Sequence, residues 1–478
     1  MSVRRRALPL AVSCALSMAW AVPVMGDDPP DRWDFSPRVS ISQIYTDNVG
    51  RASPGNERDD LITELNTGIT ASRQGARARA RLGYNLRSQA YWDEDSRNRT
   101  THQFSGDGRV DLLPERFFVD GAATYRQRTT SLTDLVADNL TDDDQLTDVF
   151  TLSVAPTFVH RFGSAATAQA TYGYDRVDYI DSSVQSLSSE TNRVAASLNS
   201  GPAFTRVGWG LSFQRTETDY DDGSSVTFQI AEALVRLNVT RRFSVFAAGG
   251  EEDNDFEQDP TRARPDDTFW RAGATWQGAR TSMEAFYGER FFGKTYGGSF
   301  DHRFRNSRFS MSYTESPTTL NRVEFDEMLL VVFDEFGEVV DIIPVLVPNL
   351  ESGVYLQRRF TAGFTGSRRK TDWGIRVFDE QREFEVTDER ERIQGISGNV
   401  GWLMAPRTRL LLNASVQERS FNIDDRDDIY YIFGIGASRE ITANTSASVN
   451  YQYLERDSDA AGADYTENRL TATFRASF

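Results

Sequence analysis

Residues Leu470-Thr471-Ala472-Thr473-Phe474-Arg475-Ala476-Ser477-Phe478 decide how the rest of the chain is read. Apolar Leu470, Ala472, Phe474, Ala476 and Phe478 alternate with polar Thr471, Thr473, Arg475 and Ser477. A period of two is the side-chain repeat of a β-strand with one apolar and one polar face. A soluble domain gains nothing by ending in mid-strand on an apolar face, since such a strand leaves an edge of unpaired backbone groups. A sheet that pairs its last strand with its first has no edge, and strands that cross a membrane require that closure.

The nonapeptide resembles the C-terminal assembly signal that bacterial outer-membrane proteins offer to the barrel-assembly machinery. The opposite end agrees with export. Arg4, Arg5 and Arg6 precede an apolar run from Ala7 to Trp20, followed by small residues up to Gly26. This is the order of a secretory signal peptide, and the run is shorter than the ~20 residues a membrane helix needs. Cleavage is expected after Gly26, with Ala21 as the alternative. The single cysteine, Cys14, lies in this segment. A lipoprotein reading of Ala11-Val12-Ser13-Cys14 leaves too short an apolar core. The expected organisation is a signal peptide over 1–26, a short periplasmic segment over 27–36 and one barrel over 37–478.

The formal net charge is -17 and the mean hydropathy is -0.50. By hydropathy alone the chain is acidic and soluble. Barrel strands escape that test because only alternate residues face lipid. Short turns such as Arg73-Gln74-Gly75-Ala76, Leu113-Pro114-Glu115-Arg116 and Met404-Ala405-Pro406-Arg407 alternate with longer acidic loops, among them Asp142-Asp143-Asp144 and Glu251 to Asp259. The segments between them alternate in polarity. Val207, Trp209, Leu211 and Phe213 share one face, as do Val354, Leu356, Phe360, Ala362 and Phe364, with Arg358 an exception. Trp92, Trp270, Trp276, Trp373 and Trp402 flank strands, as interfacial girdles require. The expected fold is all-β: a transmembrane antiparallel up-and-down β-barrel of about 22 strands (range roughly 18–24), with short periplasmic turns and long extracellular loops.

The polar face is rich in arginine. The chain holds 51 Arg and 2 Lys, Lys294 and Lys370. In the strand expected from Ala76 to Trp92, the lumen positions carry Arg77, Arg79, Arg81 and Arg87, and Arg126, Arg128, Arg236 and Arg376 fit the same face. A guanidinium fork binds carboxylate or phosphate bidentately and keeps its charge. A wall of this kind guides an anionic polymer such as an acidic polysaccharide. Two plainer readings stand beside it: arginine–carboxylate ladders that hold a wide barrel together, and a genomic preference for arginine.

One connection stands apart, expected over 317–350. Its apolar runs Met328 to Phe333 and Val339 to Val347 flank Asp334-Glu335-Phe336-Gly337-Glu338, which reads as a hairpin turn. Phe333, Phe336, Ile342, Ile343 and Pro344 are candidate gate residues. The hairpin would fold inward as a constriction, pack on the barrel, offer a strand edge to a partner, or simply extend the sheet.

No catalytic site and no metal site is expected. His102, His160 and His302 fall on different hairpins, and no Ser–His spacing marks a nucleophile. The acidic loops have no EF-hand spacing; bound divalent cations bridging lipopolysaccharide are a weaker reading than simple solvation. No cofactor is implied, and neither a phosphate-cradling loop nor a basic nucleic-acid tract is present. Residues Asp27 to Ser36 are too few for a plug domain.

The segment Ser42-Gln43-Ile44-Tyr45-Thr46-Asp47-Asn48-Val49, the strand Leu82-Gly83-Tyr84-Asn85-Leu86 with Tyr91, and Val354-Tyr355-Leu356-Gln357-Arg358-Arg359-Phe360 carry a resemblance. They are similar to the PEP-CTERM-system-associated outer-membrane β-barrel proteins, part of a wider group of β-barrel porins. The resemblance implies a Gram-negative outer membrane and a genetic setting of exosortase and exopolysaccharide loci; periplasmic export partners are expected only if the pore is an exporter. It supplies no site residues. The expected function is a pore serving surface polysaccharide export, with a general or anion-selective porin and an occluded structural barrel as the alternatives.

Overall fold

The computed structural model describes residues 32–478 apart from 130–145, 181–186, 263, 320, 323–331, 334–338, 342–352, 388 and 423–425. The expected signal peptide, Cys14 and the gate candidates Phe336, Ile342, Ile343 and Pro344 lie outside the described residues.

The chain rises and falls as a run of strands. The first are β1 (Trp33–Thr46), β2 (Asp60–Gln74), β3 (Ala78–Tyr91), β4 (Arg99–Leu113), β5 (Phe117–Thr129) and β6 (Leu146–Phe162). Then come β7 (Ala166–Ile180), β8 (Ser189–Ser200), β9 (Val207–Tyr220), β10 (Ser225–Asn238), β11 (Phe243–Asp253) and β12 (Asp266–Gln277). Next are β13 (Thr281–Arg290), β14 (Gly293–Arg303), β15 (Ser307–Thr319) and the short pair β16 (Val332–Phe333) and β17 (Val339–Asp341). The last are β18 (Val354–Arg368), β19 (Thr371–Phe384), β20 (Arg390–Ala405), β21 (Thr408–Phe421), β22 (Arg426–Glu440), β23 (Thr445–Ser458) and β24 (Tyr465–Ser477).

Twenty-two of these form one antiparallel sheet, and β16 pairs only with β17. Each strand of the sheet pairs with its neighbour in sequence, β15 pairs with β18, and β24 closes on β1 from Arg38↔Ser477 to Thr46↔Arg469. The fold is therefore a closed up-and-down barrel with every strand paired on both sides, the condition for spanning hydrocarbon. Phe478 donates its amide to the Pro37 carbonyl at 2.9 Å beside the closing pair.

Alternation divides the wall into two faces. Leu470 and Phe474 of β24 are exposed on the outer face, as are Leu82 and Tyr84 of β3 and Leu211 of β9. In a membrane these side chains meet lipid, each gaining on the order of 1.5–3 kcal/mol. Trp270, Trp276 and Trp402 are exposed on the same outer surface, whereas Trp373 packs on Phe364 with ring centres 4.7 Å apart.

Connections on the side of the two chain ends are short, such as Arg369-Lys370 and Pro406-Arg407. The opposite, extracellular side carries the longer segments 47–59, 92–98 and 254–265. Strict alternation of short and long fails at three places there. The connections 221–224 and 422–425 have four residues each, and β13 and β14 meet through Phe291-Phe292 alone. At the β13–β14 turn the reason is local: β11, β13 and β14 are the shortest strands of the barrel, with 10 or 11 residues, and Phe291 is held by packing near Phe256 rather than by a loop of its own. This sector curves tightly on glycine. A Cβ on Gly250 would lie 1.9 Å from the Ala231 carbonyl oxygen, so no larger residue fits without moving the strand.

Candidate functional site

The inward face of the barrel is the candidate site. Arg79, Arg81 and Arg87 share a face of β3 with Asn85 and Gln89, opposite Leu82 and Tyr84. The inward faces of β5, β10 and β19 carry Arg126 and Arg128, Arg236, and Arg376 respectively. Arg77 does not sit in the strand. The Gly75 amide donates to the Ala78 carbonyl at 2.8 Å, closing the hairpin one turn earlier, so Arg77 belongs to the turn. Phe333 falls in β16.

Depth separates these arginines. Arg79, Arg81, Arg236 and Arg376 lie in the periplasmic halves of their strands and are exposed to the lumen. On β3 to β5 the inward positions Arg79, Arg81, Arg99, Arg109, Arg126 and Arg128 outnumber Asp107, Asp111 and Asp120. Of these, Arg109 forks onto Asp120 at 2.6 and 2.8 Å.

The extracellular halves are different. Arg382, the largest fully buried side chain, donates from Nε to Glu380 at 2.7 Å and from Nη1 to Glu391 at 3.4 Å. Glu391 also accepts from Arg419 at 3.2 Å, and Glu380 lies 3.6 Å from Arg359. Further round the wall, Asp428 takes Arg456 and Arg426, and Glu467 takes Arg469, Arg51 and the Thr46 hydroxyl. Arg359–Glu380, Arg382–Glu391, Arg419–Glu391 and Arg456–Asp428 join adjacent strands across the register, which sequence spacing cannot show. Sequence analysis passed over Arg382, Arg419, Arg456 and their carboxylates. The only trace was the recurrence of one arginine near the extracellular end of successive strands.

The mouth is further narrowed by the wall itself. Pro317, Thr318 and Thr319 of β15 and Val354, Tyr355 and Leu356 of β18 are buried in succession, so both faces of this pair are covered. A wall strand has lipid or water on one face; burial of both means that this end has turned into the barrel. Its formerly outward face carries Val354, which packs with Tyr220 of β9, Val226 of β10 and Phe256. Arg358, the exception in the apolar alternation, is on that same face and reaches Glu383 at 3.2 Å. Arg262 of the 254–265 segment also approaches Glu383, at 3.6 Å, so a polar residue there faces protein rather than lipid. On the other face, Tyr355 packs 5.4 Å from Phe384 and 5.7 Å from the Arg382 guanidinium.

Two more contacts tie the infolded end to distant strands. Just past β15, Asn321 donates to the Leu187 carbonyl at 2.8 Å and to the Ser189 hydroxyl, and accepts from the Tyr179 hydroxyl at 3.3 Å. Beyond the end of β19, Glu385 accepts the Asp259 amide on its carbonyl at 2.8 Å and Arg262 on its carboxylate at 3.2 Å. Burial pushes the Glu385 carboxyl above the ordinary glutamate range, and Arg262 only partly opposes it.

The histidines do not converge. His102 bonds Tyr84, His302 bonds Thr281 and His160 lies between Phe158 and Phe162, all on the outer face of separate hairpins. Among the described residues no group of three or more His, Cys, Asp or Glu side chains is arranged to hold a metal.

A closed 22-strand barrel with an apolar outer face and a charged lumen is an outer-membrane β-barrel, of the pore or transport kind. Residues 32–201 match the family model described as "Putative beta-barrel porin 2". Solved structures of similar fold include the siderophore receptor PirA from Acinetobacter baumannii, at 10% identity and TM-score 0.50, covering 93% of this chain and 80% of that one. The ferric enterobactin receptor PfeA from Pseudomonas aeruginosa, solved as a mutant with enterobactin, gives 9% identity and TM-score 0.50, covering 93% and 81%. At such identity the likeness is one of fold. No curated protein matches the chain.

Proposed function

We propose that the barrel is an outer-membrane pore for anionic solutes loaded from the periplasm, and that its cargo is an acidic surface polysaccharide on its way out. The observation that carries this reading is the division of the luminal arginines by depth. Arg79 and Arg236 are exposed to the lumen on the periplasmic side, where an entering polyanion meets them first. Higher up, Arg382 and Arg419 are committed to carboxylates and offer no attraction of their own. An anion is thus drawn in electrostatically and released towards a neutralised exit. The resemblance to PEP-CTERM-associated barrels supports polysaccharide as the anion, with periplasmic partners delivering it. The chain acts without catalysis.

Single-channel conductance in a planar bilayer under a salt gradient tests the reading. Wild type is expected to favour anions, and the triple variant Arg79→Glu, Arg81→Glu, Arg376→Glu is expected to reverse the sign of the zero-current potential. A conducting wild type whose selectivity the triple variant leaves unchanged sinks it.

A second reading, a structural barrel with an occluded lumen, is favoured by the burial of Arg382, Tyr355 and Val354 at the mouth. It expects no conductance from folded wild type and no loss of surface polysaccharide on gene deletion.

A further inference from the structure

We propose that the barrel holds a lateral binding site for a single-chain amphiphile, reached from the outer leaflet through the extracellular half of the seam between β14 and β15. The inference is independent of what passes through the lumen.

Four observations meet at this seam. The first is the ladder itself. The β14–β15 register runs only from Arg303↔Arg308 to Gly298↔Tyr313, so Lys294 to Gly297 and Thr314 to Thr319 do not pair with each other. Each edge keeps its partner on the far side, β13 for β14 and β18 for β15. The wall therefore parts along a line where β15 turns inward.

The second is depth. Trp270 and Tyr287 meet on the outer surface with ring centres 6.0 Å apart, and Tyr296 stacks on Tyr313 at 5.0 Å and 8°. Such outward aromatic clusters mark the level where hydrocarbon gives way to headgroups. The ladder stops at Tyr313, one of these residues. Above that level unpaired backbone groups find water and headgroup oxygens, so an opening that hydrocarbon would forbid is allowed.

The third is what lies behind the opening. A recess of about 260 Å³ is lined by Ile230, Phe269 and Phe286 on its apolar side, and by Arg271, Arg290 and Glu315 on its polar side. Arg271 is forked onto Glu232 at 2.8 and 2.9 Å, and Arg290 onto Glu252 at 2.6 and 3.1 Å. Both arginines are charge-satisfied, so the polar wall does not demand an anionic ligand, while the aromatic wall suits an alkyl chain. At roughly 30 Å³ per water-sized group, the volume holds a chain of about eight or nine methylenes.

The fourth is a side-chain clasp across the gap. Glu315 accepts from the Thr295 hydroxyl of β14 at 2.9 Å and from the Tyr313 hydroxyl at 2.6 Å. The Thr295 bond joins the two strands where their backbones do not, and the Tyr313 bond, within β15, holds the carboxylate in place. A hydroxyl and a carboxylate exchange partners readily with a lipid headgroup, so the clasp closes the recess without sealing it. The chain of the amphiphile enters over Phe269 and Phe286, and its head remains at the aromatic girdle beside Glu315.

The test uses the full barrel reconstituted in phosphatidylcholine vesicles, with N-octyl dansylamide as a directly excited probe. Wild type is expected to give a saturable, blue-shifted emission that octyl glucoside below its critical micelle concentration displaces and glucose does not. Ile230→Trp fills the recess and is expected to weaken binding at least tenfold. Ser212→Trp, from the neighbouring strand, serves the same purpose should Ile230→Trp fail to give the heat-modifiable folded form. Glu315→Ala removes the clasp and is expected to speed probe exchange several-fold with affinity held within about threefold. A wild-type signal no different from empty vesicles, or unchanged affinity in a folded recess-filling variant, overturns the proposal.

Discussion

Replacing Arg382 with Met keeps much of the side-chain volume but withdraws the cation from a buried pair of carboxylates. Glu380 and Glu391 sit 2.7 and 3.4 Å from the guanidinium and are themselves almost fully buried. Removing one partner of a buried ion pair costs about 3–5 kcal/mol, because the remaining charge stays desolvated. Here the lower end applies. Glu380 keeps Gln357 at 3.0 Å and Arg359 at 3.6 Å, and Glu391 keeps Arg419 at 3.2 Å. A loss of about 3 kcal/mol changes the unfolding equilibrium by a factor on the order of 10². Combining Arg382→Met with Glu380→Gln removes one cation and one carboxylate while leaving the Glu391–Arg419 pair in place, and is expected to recover stability to within about 1 kcal/mol of wild type. The assay is urea unfolding of protein refolded in phosphatidylcholine vesicles, followed by tryptophan fluorescence. A loss below about 1 kcal/mol in the single variant refutes the reasoning. It would mean that water already reaches the carboxylates and that the mouth is open at that level.

Three other outcomes are expected. Phe474→Arg, on the lipid face of β24, loses about 2–4 kcal/mol in the same unfolding assay, while Thr473→Arg on the luminal face loses much less; equal losses would mean the faces are wrongly assigned. Gly250→Val abolishes the heat-modifiable folded form, since its first side-chain carbon would overlap the Ala231 carbonyl; normal folding would refute the tight curvature of that sector. Glu385 has a carboxyl pKa raised in the folded state by burial, so its contribution to docking is full below the ordinary glutamate pKa and is lost as pH rises through the folded value. After correction for intrinsic rates, amide exchange across 254–265 should therefore be slower at pH 5 than at pH 8, and Glu385→Gln should remove the difference.

The barrel was legible in the sequence because its signal is local. A lipid-facing residue announces itself by its neighbours two positions away, and Leu470 to Phe478 do so without knowledge of any other strand. The inward orientation of Arg79 and Arg81 follows from the same alternation. The arginine–carboxylate ladders read from the sequence could not be assigned to residues, since Arg382 meets Glu391 through the β19–β20 register and Glu391 meets Arg419 through the next. Register depends on where each strand begins, and Arg77 shows how a hairpin closing at Gly75 shifts that start. The infolding of β15 and β18 was hidden for another reason. Val354-Tyr355-Leu356 alternates like its neighbours, and Arg358 looked like a flaw in a lipid face. Only the contacts with Tyr220, Phe256 and Glu383 show that this face never meets lipid.

Strand length also sets the height of the wall. Most strands of the barrel run 13 to 17 residues, whereas β11 to β14 have 10 to 12. At about 3.4 Å per residue and a tilt near 40°, a deficit of about four residues lowers the rim by roughly 10 Å. The rim is therefore a slope rather than a level ring, with its low point at Phe291-Phe292, close to the headgroups, and its high ground on the far side. A molecule that leaves over the low point emerges along the cell surface instead of away from it. A flexible chain anchored in the periplasm would be laid down parallel to the membrane.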